Sequence, residues 1–143
     1  DSWFPDKLTL QVKAMKETNC KMSSTDGCVG RGPYNKSRKY RKYNAEVFWR
    51  RLQLKFKKKN KIELIQNGFP RIWNRKFMKV HNCMICSSVI IEKDTIDKTG
   101  RFSIKNYADD YEYWLRILKH TDSVYVSNVC VYYDMGHAGG RKY

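Results

Sequence analysis

Between Arg31 and Lys61 thirteen basic residues meet a single acid, Glu46, and a stretch so charged belongs on the surface of any fold this chain adopts. Residues 81–143 hold eight Lys/Arg and eight Asp/Glu, so the whole net charge of +15 lies in residues 1–80. Such a block is either a solvated, Lys-rich insertion or an attractor of anions: nucleic acid, an acidic glycan or phospholipid headgroups. The remainder must supply the core. With 143 residues, 41% of them hydrophobic and 14% aromatic, the chain can bury one modest core and fits a single domain.

Periodicity orders the chain as strands interleaved with helices. Pro5 to Thr18 reads as a helix with Leu8, Val12 and Met15 at helical spacing and Asn19 as its stop. Lys21 to Thr25 is a short strand ended by the Asp26-Gly27 turn signal, and Gly30 to Asn44 is an exposed loop. Ala45 to Lys59 is a basic amphipathic helix carrying Phe48, Leu52 and Phe56 on one face. Its stripe either packs on the core or lies on an anionic membrane surface. Arg71 to Lys79 is ambiguous. Met84 to Ile91 is the strongest strand signal, followed by a short helix Asp94–Thr99 stopped by Gly100, a helix Tyr107–His120, a strand Ser123–Tyr133 and a flexible tail from Gly136. The interleaving indicates an α/β architecture with a mixed sheet.

The Tyr107–His120 helix opens on two carboxylates, Asp109 and Asp110, ahead of an apolar stripe of Tyr111, Trp114, Leu115 and Leu118. Unsatisfied N–H groups at a helix N-terminus favour ionised acids, so the pair is either a cap with a first-turn charge or a fixed general base. Five cysteines, Cys20, Cys28, Cys83, Cys86 and Cys130, are an odd number in a chain of ordinary composition. That favours reduced thiols and a cytoplasmic location. Cys83-Met-Ile-Cys86 has metal-like spacing, but no second Cys/His pair closes a zinc site, and buried small hydrophobes are the expectation there. No run is apolar and long enough to span a bilayer.

Five segments share an order with a known family. Asp1-Ser-Trp-Phe-Pro-Asp-Lys-Leu-Thr-Leu-Gln11 stands at the start. Cys86-Ser-Ser-Val-Ile-Ile91, Gly100-Arg-Phe102 and Asp109-Asp-Tyr-Glu-Tyr-Trp-Leu-Arg116 follow, and then Val129-Cys-Val-Tyr-Tyr133 with His137. This order resembles the C-terminal, acceptor-side half of family-2-type glycosyltransferases with the GT-A fold, over residues 1–29 and 80–143. The resemblance implies an incomplete domain: a GT-A-like mixed sheet flanked by helices, interrupted by a basic insertion at about residues 30–62. It also implies that the N-terminal nucleotide-binding segment, with its Asp-x-Asp metal motif, precedes Asp1.

Such an enzyme moves a sugar from a nucleotide-sugar donor to a glycan, lipid-linked or protein acceptor, as in polysaccharide biosynthesis. The resemblance assigns the base to Asp110 and a supporting role to Asp109, where the family usually has Glu. Ser87, Ser88 and Asn82 would line the donor–acceptor cleft, and Trp114 would either stack on a sugar or pack in the core. A divalent cation, Mn or Mg, would be held mostly by the preceding motif, with Asp1 and His137 as lesser candidates. The basic segment 31–61 would make a peripheral contact with anionic membrane. A different class of protein stays open beside this one: a nucleic-acid-binding module in which Tyr34, Tyr40, Tyr43, Phe48 and Trp49 interleave with the basic residues.

Overall fold

The computed structural model describes residues 1–103 and 109–137, apart from the side chains of Asp109 and His137. In chain order the elements are β1 (Ser2–Trp3), α1 (Lys7–Thr18), β2 (Met22–Gly30), β3 (Arg41–Lys42), α2 (Trp49–Lys58) and β4 (Ile72–Trp73). They continue with α3 (Arg75–Met78), β5 (Ile90–Ile91), α4 (Lys93–Thr99), α5 (Asp109–Ile117) and β6 (Ser123–Asp134). The fold is mixed α/β, with a curled mixed sheet flanked by helices. Its spine is the parallel pair β2–β6, running from Met22↔Ser123 to Gly30↔Asp134. Short antiparallel strands finish it: β1 and β4 on β6, β3 and β5 on β2.

Alternation along β6 divides the core between the two sheet faces. Tyr125 joins the larger cluster, with Met22, Leu52, Phe56, Trp73, Phe77, Trp114 and Ile117; its ring stacks on Trp73 at 4.5 Å. Val124 and Val126 face the other way, onto Ala14, Met15 and Cys20 beneath α1. No helix among the described residues is long and apolar enough to cross a membrane.

Several sequence expectations are corrected. β2 does not end at Asp26-Gly27 but runs on to Gly30. Strand β6 bulges opposite that point, slipping two residues between Val126 and Val129, and Gly27 lets Val131 approach closely. A Cβ at Gly27 would stand 2.8 Å from the Val131 side chain and 2.9 Å from that of Ile85. Asp26 is buried, and its carboxylate accepts from the backbone N–H groups of Gly27 (2.8 Å), Asn44 (3.1 Å) and Ala45 (3.4 Å). Desolvation raises its pKa and these donors oppose the rise. The same bonds cap the π-helical turn Tyr43–Val47, which replaces the start of the expected helix 45–59; α2 proper begins at Trp49.

Met84–Ile91 is not one strand. Ser88 Oγ donates to the Ile85 carbonyl at 2.8 Å and closes a 3-10 turn, Cys86–Ser88, leaving only Ile90–Ile91 to pair. The thiols there split accordingly: Cys83 is buried, whereas Cys86 is exposed and not the buried hydrophobe expected; all five cysteines are free. The Asp94–Thr99 helix forms one residue longer as α4, with Gly100 at φ 83° ending it, and Asn19 ends α1 at φ 54°. The N-terminal part of the Tyr107 helix and the tail beyond His137 lie outside the described residues.

The buried face of α1 is also not the one its apolar spacing suggests. Leu8 and Val12 are 49% and 43% exposed, while Lys7 and Gln11 are fully buried with Ala14 and Met15. The reason is the strand beneath: β2 presents Ser23, whose hydroxyl accepts from Gln11 Nε2 at 2.8 Å, so a polar helix face is the one that can be satisfied.

Lys7 is the exception, because its Nζ finds no hydrogen-bond partner and sits 4.0 Å from the centre of the Trp3 ring. Desolvation lowers its pKa to about 8. An unfolded chain with an ordinary lysine then binds more protons than the folded one between pH 8 and 10.5, so stability rises with pH across that window and the penalty is full below it. Lys7→Met is expected to stabilise the chain by about 1–3 kcal/mol at pH 7, less than the full shift because the ammonium lies over the Trp3 ring. Urea melts at pH 7 and pH 10 test this: the variant should lose the alkaline rise that the parent shows.

Candidate functional site

The Cys86–Ser88 turn is where the distant segments meet. β1 is held to β6 through Ser2↔Tyr132 and Trp3↔Val131, which fixes the Trp3 indole so that Nε1 donates to the Ser87 carbonyl at 2.8 Å. One helical turn on from Lys7, Gln11 sends Nε2 to the Ser88 carbonyl at 3.0 Å as well as to Ser23. Ser88 Oγ in turn accepts from the Thr25 N–H at 3.3 Å. The first eleven residues therefore grip the two serine carbonyls from one side, and β2 holds the second serine from below.

Helix α5 arrives from the other side. Tyr111 Oη donates to the Met78 carbonyl at 2.7 Å, seating the first turn of α5 against the segment that leads into the serine turn. Arg116 fixes the far end: its guanidinium donates to Glu112 (2.7 Å) and to the carbonyls of Thr99 (2.9 Å) and Arg101 (2.7 Å). Asp110 is half-buried, and its Oδ1 accepts from the Tyr111 N–H at 2.7 Å. Its carboxylate is near enough to Cys86 to act on the thiol. Desolvation by the packed surroundings pushes the Cys86 pKa up, and the Asp110 charge pushes it further, although the residue itself is exposed.

The other expected residues fall in different settings. Ser88 is fully buried with its hydroxyl committed to the turn. Ser87 is half-buried, with a buried hydroxyl that has no hydrogen-bond partner. Asn82 is half-buried, and its Oδ1 accepts from the Met84 N–H at 3.2 Å, closing a local turn. Trp114 is 3% exposed in the larger core cluster, against Phe102 and Tyr113, so the packing alternative is the one its surroundings match and its ring offers no face to a sugar. Asp109 opens α5, with its side chain outside the described part.

Asp1 lies at the opposite end of β6 from the start of that strand, where Oδ1 accepts from the Asp134 N–H at 2.9 Å. Asp134 Oδ1 accepts from Gly32 and Gly136. His137 follows in the 3-10 turn Met135–His137, its side chain again outside the described part. Among the described residues no group of three His, Cys, Asp or Glu side chains converges, so they do not form a divalent-cation site. A cavity of about 700 Å³ lies on the other flank of α1, with Leu10, Lys13, Asp26, Trp49, Phe69 and Arg71 among its lining, and Asp110 does not face it.

Trp3, Gln11 and Arg116 were not singled out by residue type, yet they build the site's frame. No local signal marks the first two: Trp3 lies on β1, ahead of the helix, and Gln11 shares only the buried polar face of α1 with Lys7, one turn back. Comparison with protein-family models, curated proteins and solved structures returns no match.

The nearness of Asp110 to Cys86 has a readout that needs no activity. Removing the carboxylate with Asp110→Asn lowers the thiol pKa and enlarges the thiolate fraction. Alkylation of Cys86 by iodoacetamide at pH 8 should therefore speed up a few-fold in the variant, while the buried thiols stay slow. An unchanged rate, followed by peptide mass spectrometry, would show the two groups to be uncoupled.

Proposed function

We propose that this chain is the acceptor-side half of an inverting, nucleotide-sugar-dependent glycosyltransferase with a GT-A-like domain, in which Asp110 is the general base. The observation that carries the reading is convergence. Trp3 and Gln11 reach 84 and 77 residues along the chain to hold Ser87 and Ser88, and the Asp110 carboxylate acts on Cys86 in the same turn. Those are segments on which the family resemblance rests.

In the proposed reaction the acceptor hydroxyl gives its proton to the Asp110 carboxylate as its oxygen bonds to the anomeric carbon. The bond from that carbon to the diphosphate oxygen breaks on the opposite face, inverting the centre. A divalent cation, Mn or Mg, would neutralise the leaving diphosphate.

A nucleic-acid module has less support, since the rings it would need are engaged internally. Tyr34 and Tyr40 pack on Tyr132, Tyr43 on Phe48 and Tyr133, and Trp49 on Phe69. Sugar transfer from labelled nucleotide-sugar donors, measured on the intact gene product, tests the proposal. Asp110→Asn should lower kcat by about 10²–10⁴-fold with little change in KM or in circular dichroism. Transfer at the parent rate by the Asn variant rejects Asp110 as the base.

A further inference from the structure

We infer that the outer face of α2 docks this protein on an anionic lipid surface. The inference is independent of the sugar-transfer reading and rests on how α2 distributes its side chains. Leu52 and Phe56 are buried at 3% and 0% exposure and turn one side of the helix into the larger core. Leu54 points away from them and is 67% exposed. At about 100° per residue, Arg50 and Lys57 lie within about 60° of Leu54 on one side and Lys58 and Arg51 within about 60° on the other, with Lys55 beyond. All five cations are exposed. A single leucine thus stands at the centre of a ring of positive charge, and Lys61 and the exposed Ile62 continue it past the helix end.

None of these cations has an acidic partner among the described residues, not even Glu63, which is exposed just past Ile62, whereas four acids elsewhere are paired. Glu17 pairs with Arg71, Glu92 with Lys21, Asp97 with Lys93 and Glu112 with Arg116. Beside α2, the only groups acting on His81 apart from burial are Lys55, Arg51 and Lys59, and all push its pKa down. The acid of the insertion, Glu46, is occupied in accepting from the Lys42 N–H at 3.0 Å. The face therefore presents uncompensated positive charge, which complements a negatively charged layer.

The exposed leucine selects among polyanions. A nucleic-acid backbone rewards the cations but gives nothing to Leu54, and the rings nearby that could stack on bases are packed internally. A lipid surface rewards both: the cations meet headgroup phosphates and carboxylates while Leu54 enters the acyl boundary. With one apolar anchor the attachment is reversible and sensitive to salt.

Co-sedimentation of the chain with phosphatidylcholine vesicles, with and without phosphatidylserine, tests the inference. Binding is expected on the mixed vesicles and close to none on phosphatidylcholine alone. Each charge removed should cost about five-fold in partition coefficient, so Arg50→Gln/Lys57→Gln/Lys58→Gln should lose about 10²-fold. Lys93→Gln/Lys98→Gln on α4 should lose far less. Leu54→Ser should weaken vesicle binding several-fold while leaving retention on an oligonucleotide column unchanged. These side chains are exposed, and circular dichroism with a thermal melt verifies that each variant is folded. Equal binding to both vesicle types overturns the inference. So does vesicle binding that Leu54→Ser leaves intact, which would mark the face as a general polyanion site.

Discussion

The fold depends on making a polar strand buriable. In β2 the residues Ser23, Ser24, Thr25 and Asp26 are all at most 1% exposed, on a strand paired in parallel with β6 and covered on both faces. Parallel strands in such a position ordinarily read as apolar runs, because an unpaired buried hydroxyl or carboxylate costs a few kcal/mol. Here the cost is offset by partners from every neighbour. Gln11 serves Ser23, the Thr25 hydroxyl donates to the Asp26 carbonyl at 2.9 Å, and three backbone N–H groups serve Asp26. The account is not complete: Ser24 Oγ, Ser123 Oγ, Gln11 Oε1 and Lys7 Nζ have no partner. Gln11 Oε1 and Lys7 Nζ lie on the α1 side of the sheet, whereas Ser24 and Ser123, in register with Tyr125 and Met22, face the larger cluster.

That requirement explains why the site's frame and the sheet are the same set of bonds. Ser88 accepts from the Thr25 N–H and its carbonyl accepts from Gln11, which also serves Ser23. The turn thus satisfies β2 and is positioned by it. The insertion is tied in similarly: Asp26 caps its final turn, and Asn44 Nδ2 donates to the Cys83 carbonyl at 3.0 Å, three residues before Cys86. Movement of the basic segment would reach the serine turn through Asn44 and Cys83 rather than through side-chain packing alone.

How much of this the sequence discloses follows from the same chemistry. Where packing is apolar the pattern was legible, as in β6 with its β-branched and aromatic run, and the helix stops at Asn19 and Gly100, both at positive φ, were legible too. Where a polar neighbour sets the structure, hydrophobic periodicity misleads. It puts Leu8 and Val12 inside where Lys7 and Gln11 go, stops β2 at a turn signal that Asp26 instead uses as an acceptor, and reads 84–91 as a strand that Ser88 bends. Of the candidate site, the residue types at 87, 88 and 110 were recognisable from their order. The clamps from Trp3 and Gln11 were not, because donors reaching 84 and 77 residues away leave no local pattern.

The split of charge has a physical consequence for such a site. An excess of fifteen positive charges repels itself, and the repulsion is eased where acids can be placed among the bases. This chain uses four of its acids in that way, on α1, at the N-cap of α4, on α4 and on α5, yet leaves α2 without one. Spreading the same acids onto α2 would lower the self-repulsion without touching the core, since the side chains of its outer face are exposed. A composition arranged only for stability or solubility has no reason to refuse that exchange. A surface that must meet a negative layer does, because each acid added there cancels a cation at the contact, whereas an acid on α5 lies on a different element and costs the contact far less within a screening length of about 10 Å.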